Sequence, residues 1–221
     1  MSSFPNRLPG SVILALSVIA SAAFWLLRDS GLDRPLLLAL KGAPVGLLAL
    51  FAWIEGTGRE GRMIAAVMAL GACGDVLLEV AFRLGAASFL AGHLVAFALY
   101  FNHHRRWMSH SQRIAVLTLF VLVPVIAFRL PADRAMAPLV GLYGLGLGAM
   151  ASSAWASSYS RYTVGLGAVL FVLSDLLIFA GMGPLAQSSL PHIAVWPVYY
   201  TGQLLVCLGV VRRLRADQPS G

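Results

Sequence analysis

Eight apolar runs divide the chain, at residues 11–27, 36–54, 62–82, 86–101, 113–130, 135–157, 163–182 and 193–211. Each is close to the ~20 residues that an α-helix needs to cross a hydrocarbon core about 30 Å thick. Backbone amides find no water there, so a spanning segment must satisfy its hydrogen bonds internally. The predicted fold is therefore all-α, a polytopic membrane bundle of eight transmembrane helices. The connectors leave no room for a separate extramembrane domain, and residues 1–221 are read as a single transmembrane domain. A composition of 59% hydrophobic and 11% charged residues agrees, because it offers too little polar surface to cover a water-soluble globule.

The first run follows Arg7 and contains "ASAA", so a cleaved signal peptide is its competing reading. Cys73 and Cys207 both fall inside apolar runs and read as packing residues rather than a disulfide framework.

The net charge of +7 is distributed unevenly between the two sets of helix ends. One set holds Arg7, Arg59, Arg62, Arg105, Arg106, Arg113, Arg161, Arg212, Arg213 and Arg215; the other holds Arg28, Arg34, Arg83, Arg129 and Arg134. By the positive-inside rule both termini are cytoplasmic, and the expected location is a bacterial inner membrane. These arginines are topology signals and contacts to anionic membrane lipids, not a nucleic-acid patch. The stretch "FNHHRRWMSHSQR", 101–113, is read as a solvated loop whose histidines lack metal-ligand spacing.

With those charges set aside, Lys41, Asp75, Glu79, His93 and Asp175 still lie within the spans. Each charge near the bilayer midplane costs about 2.5–3.5 kcal/mol even on the mildest scale, so all should face the bundle interior with partners. Counted from the helix starts, Asp75 lies 13 residues along the third span and Asp175 lies 12 along the seventh. Lys41, His93, Tyr143, Tyr199, Tyr200 and Gln203 enter their own spans from the opposite side by five to ten residues. At about 1.5 Å per residue all of these fall in the non-cytoplasmic half. Glu79 stands one turn above Asp75 and reads as a mouth residue. A structural ion pair between Lys41 and one acid is the plainer alternative for those residues taken singly; a functional cavity is the reading favoured for the set.

The strings "GDVLL" (74–78) and "SDLLI" (174–178) echo one another, as do "APVGLL" (43–48) and "APLVGL" (137–142). Two parallel four-helix repeats, with the aspartates facing each other, are the architecture such an echo suggests.

At these residues the sequence resembles the YhhN family of membrane proteins, which includes the lysoplasmalogenases. The matching pieces are "GDVLL", "SFLAGH" ending at His93, "LYGLGLGAM" with Tyr143, "GAVLFVLSDLLIFA" around Asp175, and "YYTGQLL" with Tyr199, Tyr200 and Gln203. The chain departs from the family where Lys41 is followed by Gly42 and Ala43, with Pro44 displaced, and where "LVAF" follows His93.

The resemblance implies hydrolysis of the vinyl ether bond of a lysolipid, giving a fatty aldehyde and a glycerophospho-alcohol. Asp75 and Asp175 are then the catalytic acid and carboxylate, in unassigned order. Lys41, Glu79, His93, Tyr143, Tyr199, Tyr200 and Gln203 are the expected substrate-binding residues. No cofactor is expected, and no metal, since His93 alone among the histidines lies at depth. Ser174 is a poor nucleophile, because its side chain diverges from that of Asp175 by about 100° on a helix. The rivals are a proton-coupled transporter, hinted at by Gly42 and Pro44 as a broken-helix site, and a lipid-binding membrane protein. The sequence assigns no oligomeric state.

Overall fold

Residues 10–217 are described in a computed structural model, and every apolar run becomes a helix. The helices are α1 (Gly10–Leu27), α2 (Arg34–Glu55), α3 (Gly58–Val80), α4 (Phe82–Phe101), α5 (His110–Arg129), α6 (Ala137–Ala156), α7 (Leu166–Gly181) and α8 (Leu190–Ala216). A single π-helical turn, Arg161–Gly165, leads into α7. Arg7 lies outside the described residues.

Local chemistry explains several boundaries. Proline stands in the first turn of α2, α6 and α8, where its missing N–H costs nothing. Ser109 and Gln112 form a reciprocal capping box at the head of α5. Gly58, at φ +65°, reverses the chain in the short α2–α3 link, a conformation that glycine adopts without strain.

Large apolar side chains cover the outside, with Leu26 at 69%, Trp53 at 63% and Leu117 at 63% exposure. Water would not tolerate so continuous an apolar surface, and lipid does. The protein is an integral membrane protein. On α5 only Val123 and Ala127 are buried, which makes it a peripheral helix seated on α6. Gly144 and Gly148 let it come close, since a Cβ on either would strike the backbone of α5.

The main seams join α1 to α2, α2 to α3, α3 to α4, α5 to α6 and α7 to α8; α4 against α6 links the first four helices to α5–α6, and smaller seams of α8 with α2 and α3 and of α7 with α6 tie in α7–α8. The α6–α7 seam is slight where the α2–α3 seam is extensive. Helix α1 belongs to the bundle: Ser17 Oγ donates to the Pro44 carbonyl at 2.7 Å and meets the Tyr200 hydroxyl at 2.7 Å. Higher up, Trp196 Nε1 donates to Ser21, and its ring packs on Phe24 at 4.3 Å. Helix α2 runs through Pro44 without a break.

Two sequence expectations need correction. The segment 101–113 is not a freely solvated loop: His103 bonds Glu60 at 2.7 Å, and Arg105 donates to the carbonyls of Ser157 and Tyr159. Those carbonyls lie just past α6 and have no helical partner, so an arginine satisfies them. Cys73 does not pack either. It faces outward, while buried Cys207 directs its Sγ to the Leu48 carbonyl at 3.6 Å.

Candidate active site

Eight alternating helices place the described ends of the chain on one face, where Arg215 pairs with Glu55 and Gly10 lies against the same glutamate. The opposite face carries the α1–α2, α3–α4 and α7–α8 connectors, and a cavity of ≈ 570 Å³ enters the bundle there. Its lining comes from α1, α2, α3, α4, α6, α7 and α8.

Asp75 of α3 and Asp175 of α7 both line this cavity and are 3% and 6% exposed. Each is held by a tyrosine from a different helix. The Tyr199 hydroxyl donates to Asp75 Oδ2 at 2.9 Å, and the Tyr143 hydroxyl donates to Asp175 Oδ2 at 2.6 Å. Each tyrosine is held in turn from behind. Gln203 Nε2 donates to Tyr199 at 3.3 Å, and His93 Nε2 meets Tyr143 at 3.0 Å. Because the single Tyr143 proton goes to Asp175, His93 must present Nε2–H to the phenol oxygen. His93 Nε2 also lies 3.8 Å from Asp175 Oδ2. Both relays engage Oδ2, which leaves Oδ1 of each aspartate as the oxygen available to a ligand.

Small residues before and below the acids make these contacts possible. A Cβ on Gly71 would stand 2.9 Å from Gln203 Nε2, and one on Gly74 would stand 2.6 Å from the Phe89 ring. Phe89, Phe171 and Tyr199 meet edge to face, with centroids 5.2–5.9 Å apart, and Phe171 also meets the His93 ring at 4.9 Å. Phe89 and Tyr199 line the cavity and Phe171 backs them, an aromatic floor one turn below Asp175. Nothing in the sequence separated Phe89 and Phe171 from other aromatics in apolar runs. Ser174 directs its hydroxyl to the Phe171 carbonyl at 2.8 Å, so it is engaged in its own helix.

Of the other expected binding residues, Lys41 and Glu79 line the cavity and pair with each other. His93 and Gln203 sit behind the tyrosines, off the cavity wall. Tyr200 follows Tyr199 by one residue, turns away around α8 and bonds Ser17 of α1. Among the described residues no three His, Cys, Asp or Glu side chains converge as a metal site would require.

Arg28 and Arg34, which sequence reasoning treated as topology signals, line the mouth together with Asp29 and His192. His192 bonds Asp29 at 3.0 Å and thereby holds that carboxyl below the usual carboxylate range, so Asp29 is an anion there. Arg34 donates to the Glu79 carbonyl at 3.1 Å.

Two predictions arise from this geometry. Tyr143→Phe removes the donor to Asp175 without changing shape, and turnover is expected to fall roughly ten- to a hundredfold, as for loss of a hydrogen bond to a charged group. An unchanged rate in a purified variant would show that the phenol does not position the acid. The Lys41–Glu79 pair is expected to show a coupling of about 1 kcal/mol in a double-mutant cycle with Lys41→Met and Glu79→Gln, read from thermal unfolding in detergent. Additive single-variant effects would mean that the two charges act independently.

The chain matches the YhhN family over residues 36–210. Curated relatives agree. A protein of Mycobacterium bovis named lysoplasmalogenase is 28% identical over 181 residues, covering 77% of this chain and 69% of its own length. Its counterpart in Mycobacterium tuberculosis, with the same name, matches equally. Lysoplasmalogenase TMEM86B of Homo sapiens is 30% identical over 186 residues, covering 78% of this chain and 74% of its own. No solved structure matches the chain.

Proposed function

The chain belongs to the YhhN family, and on that premise we propose that it is a membrane hydrolase that opens the vinyl ether bond of a lysoplasmalogen-type lipid. The products are a fatty aldehyde and a glycerophospho-alcohol. The observation that carries this reading is the pair of buried aspartates, from α3 and α7, on the wall of one cavity. A volume of ≈ 570 Å³ lies within the range of small-molecule sites, about 300–1,000 Å³.

The chemistry follows from two carboxyl groups that share one proton. The protonated aspartate gives its proton to the vinyl carbon remote from oxygen, and the double-bond electrons form the new C–H bond. Positive charge then spreads over the adjacent carbon and the ether oxygen, where the ionised aspartate stabilises it. Water adds to that carbon and loses a proton to this carboxylate. The resulting hemiacetal loses its hydroxyl proton as the bond to the glycerol oxygen breaks, and that oxygen takes up a proton as the aldehyde leaves. The pair then again holds one proton in total. Tyr143 and Tyr199 fix the Oδ2 atoms so that each Oδ1 meets the substrate, and the aromatic floor keeps bulk water out.

In this reading the cavity mouth opens on the non-cytoplasmic side of a bacterial inner membrane and both termini are cytoplasmic, an orientation that the uneven distribution of arginines supports. A single-chain lipid in the outer leaflet enters from there. The test is aldehyde release by protein purified in detergent. Release without any gradient supports hydrolysis. Gradient-driven uptake into vesicles with no aldehyde would instead establish the transporter reading.

A further inference from the structure

One group at the cavity mouth is left over from the pairs described above. The Arg28 side chain is only 15% exposed, its guanidinium lies over the Trp25 ring at 5.7 Å, and it lines the cavity. Among the described residues its Nε is buried without a hydrogen-bond partner. The nearest acid, Asp29, approaches Nε only to 3.5 Å and uses the same oxygen to accept from His192. A buried guanidinium N–H with no acceptor is costly unless something fills the position.

The charge balance of the mouth asks for the same thing. At the level of the mouth Arg28, Arg34 and Lys41 face only Asp29 and Glu79, and the one further negative charge, that of the aspartate pair, lies deeper in the cavity. Lys41 is taken by Glu79, and Arg34 spends one N–H on the Glu79 backbone carbonyl. The free donors therefore belong to the two arginines, whose planar forks suit an oxyanion.

Depth sets what kind of anion. Glu79 stands one turn above Asp75 and Arg34 bonds its carbonyl, so Arg34 lies about one to two turns, roughly 5–11 Å, above the carboxylates, and Arg28 lines the same cavity. A glycerol unit spans a similar distance between an sn-1 vinyl ether and an sn-3 phosphate. We infer that Arg28, together with Arg34, binds the phosphodiester of the lipid headgroup at the cavity mouth and so selects phosphate-bearing single-chain lipids over neutral ones. This rests on the reading of the cavity as a lysolipid site. Both arginines precede the stretch matched to the family.

The test uses saturated 1-O-alkyl analogues, which have no vinyl ether to cleave, so binding is read apart from reaction. The full chain in detergent is titrated with 1-O-alkyl-glycerophosphoethanolamine and with 1-O-alkylglycerol, following tryptophan fluorescence. Arg28→Ala is expected to lower the preference for the phosphate-bearing lipid roughly ten- to a hundredfold, the loss of a charge-assisted hydrogen bond to an anion. Arg28→Lys, which keeps charge but not the fork, should fall in between. Equal weakening of both lipids, or no change in their ratio, overturns the assignment. A third titration with inorganic phosphate separates the sources. If Arg28→Ala weakens only that ion and leaves the lipid ratio intact, the site binds free phosphate and the headgroup assignment fails. An arginine-dependent lipid ratio in a wild-type protein that releases no aldehyde would leave this inference standing and remove the proposed reaction.

Discussion

Asp75→Asn and Asp175→Asn are each expected to lower aldehyde release by roughly 10²- to 10⁴-fold, the contribution of a positioned acid or base. Asparagine keeps the shape and can still accept from the tyrosine through its amide carbonyl oxygen, so the relays from Gln203 and His93 survive. What disappears is a group that can give up or take a proton at Oδ1. Each variant should therefore insert, purify as a single species and unfold near the wild-type temperature while turning over poorly. The double variant should be no slower than the worse single one, because groups that act as a unit are strongly non-additive. Undiminished turnover in both single variants would remove the aspartates from the chemistry.

The second large effect concerns the bundle. Helices α7 and α8 touch through their backbones at Gly167 and Gly202: a Cβ on the first would stand 2.7 Å from the Gly202 carbonyl oxygen, and one on the second 2.8 Å from that of Gly167. Backbone cannot swing aside as a flexible side chain can. Gly202→Val is expected to destabilise the protein by about 3 kcal/mol or more, at the upper end of overpacking effects. Prising α8 from α7 also parts Tyr199 from the wall that carries Asp175, so activity should fall with stability. Gly46→Ala is the control, because its Cβ meets no neighbour nearer than 3.9 Å. A monodisperse Gly202→Val protein with an unchanged melting temperature would contradict the close α7–α8 contact.

Much of this was legible before any coordinates, for physical reasons that also explain where legibility ended. Hydropathy fixes eight helices because a bilayer permits few other structures. Asp75 and Asp175 stand out because burying an acid in lipid is so expensive that a chain must have a use for it. Their shared depth follows from the constant rise of a helix. Rotation about the helix axis is not so accessible. Tyr199 and Tyr200 are equivalent by depth, yet α8 turns one to Asp75 and the other to Ser17. Any of the three acids in the spans could have paired with Lys41 by sequence, and the structure shows Glu79. Arg28 was hidden for another reason: an arginine at a membrane interface already has an explanation as a topology signal, so its burial beside a cavity leaves no mark in sequence. The segment 101–113 misled in the same way, since histidines and arginines that close a helix end look the same in sequence as those that face water.

The most direct measurement is product analysis from the purified protein in H₂¹⁸O, with the aldehyde trapped by reduction as it forms. Protonation at carbon followed by capture of water places ¹⁸O in the trapped fatty alcohol and leaves the glycerophospho-alcohol unlabelled. Label in the glycerophospho-alcohol, or no aldehyde at all, would contradict hydrolysis by a pair of cavity aspartates.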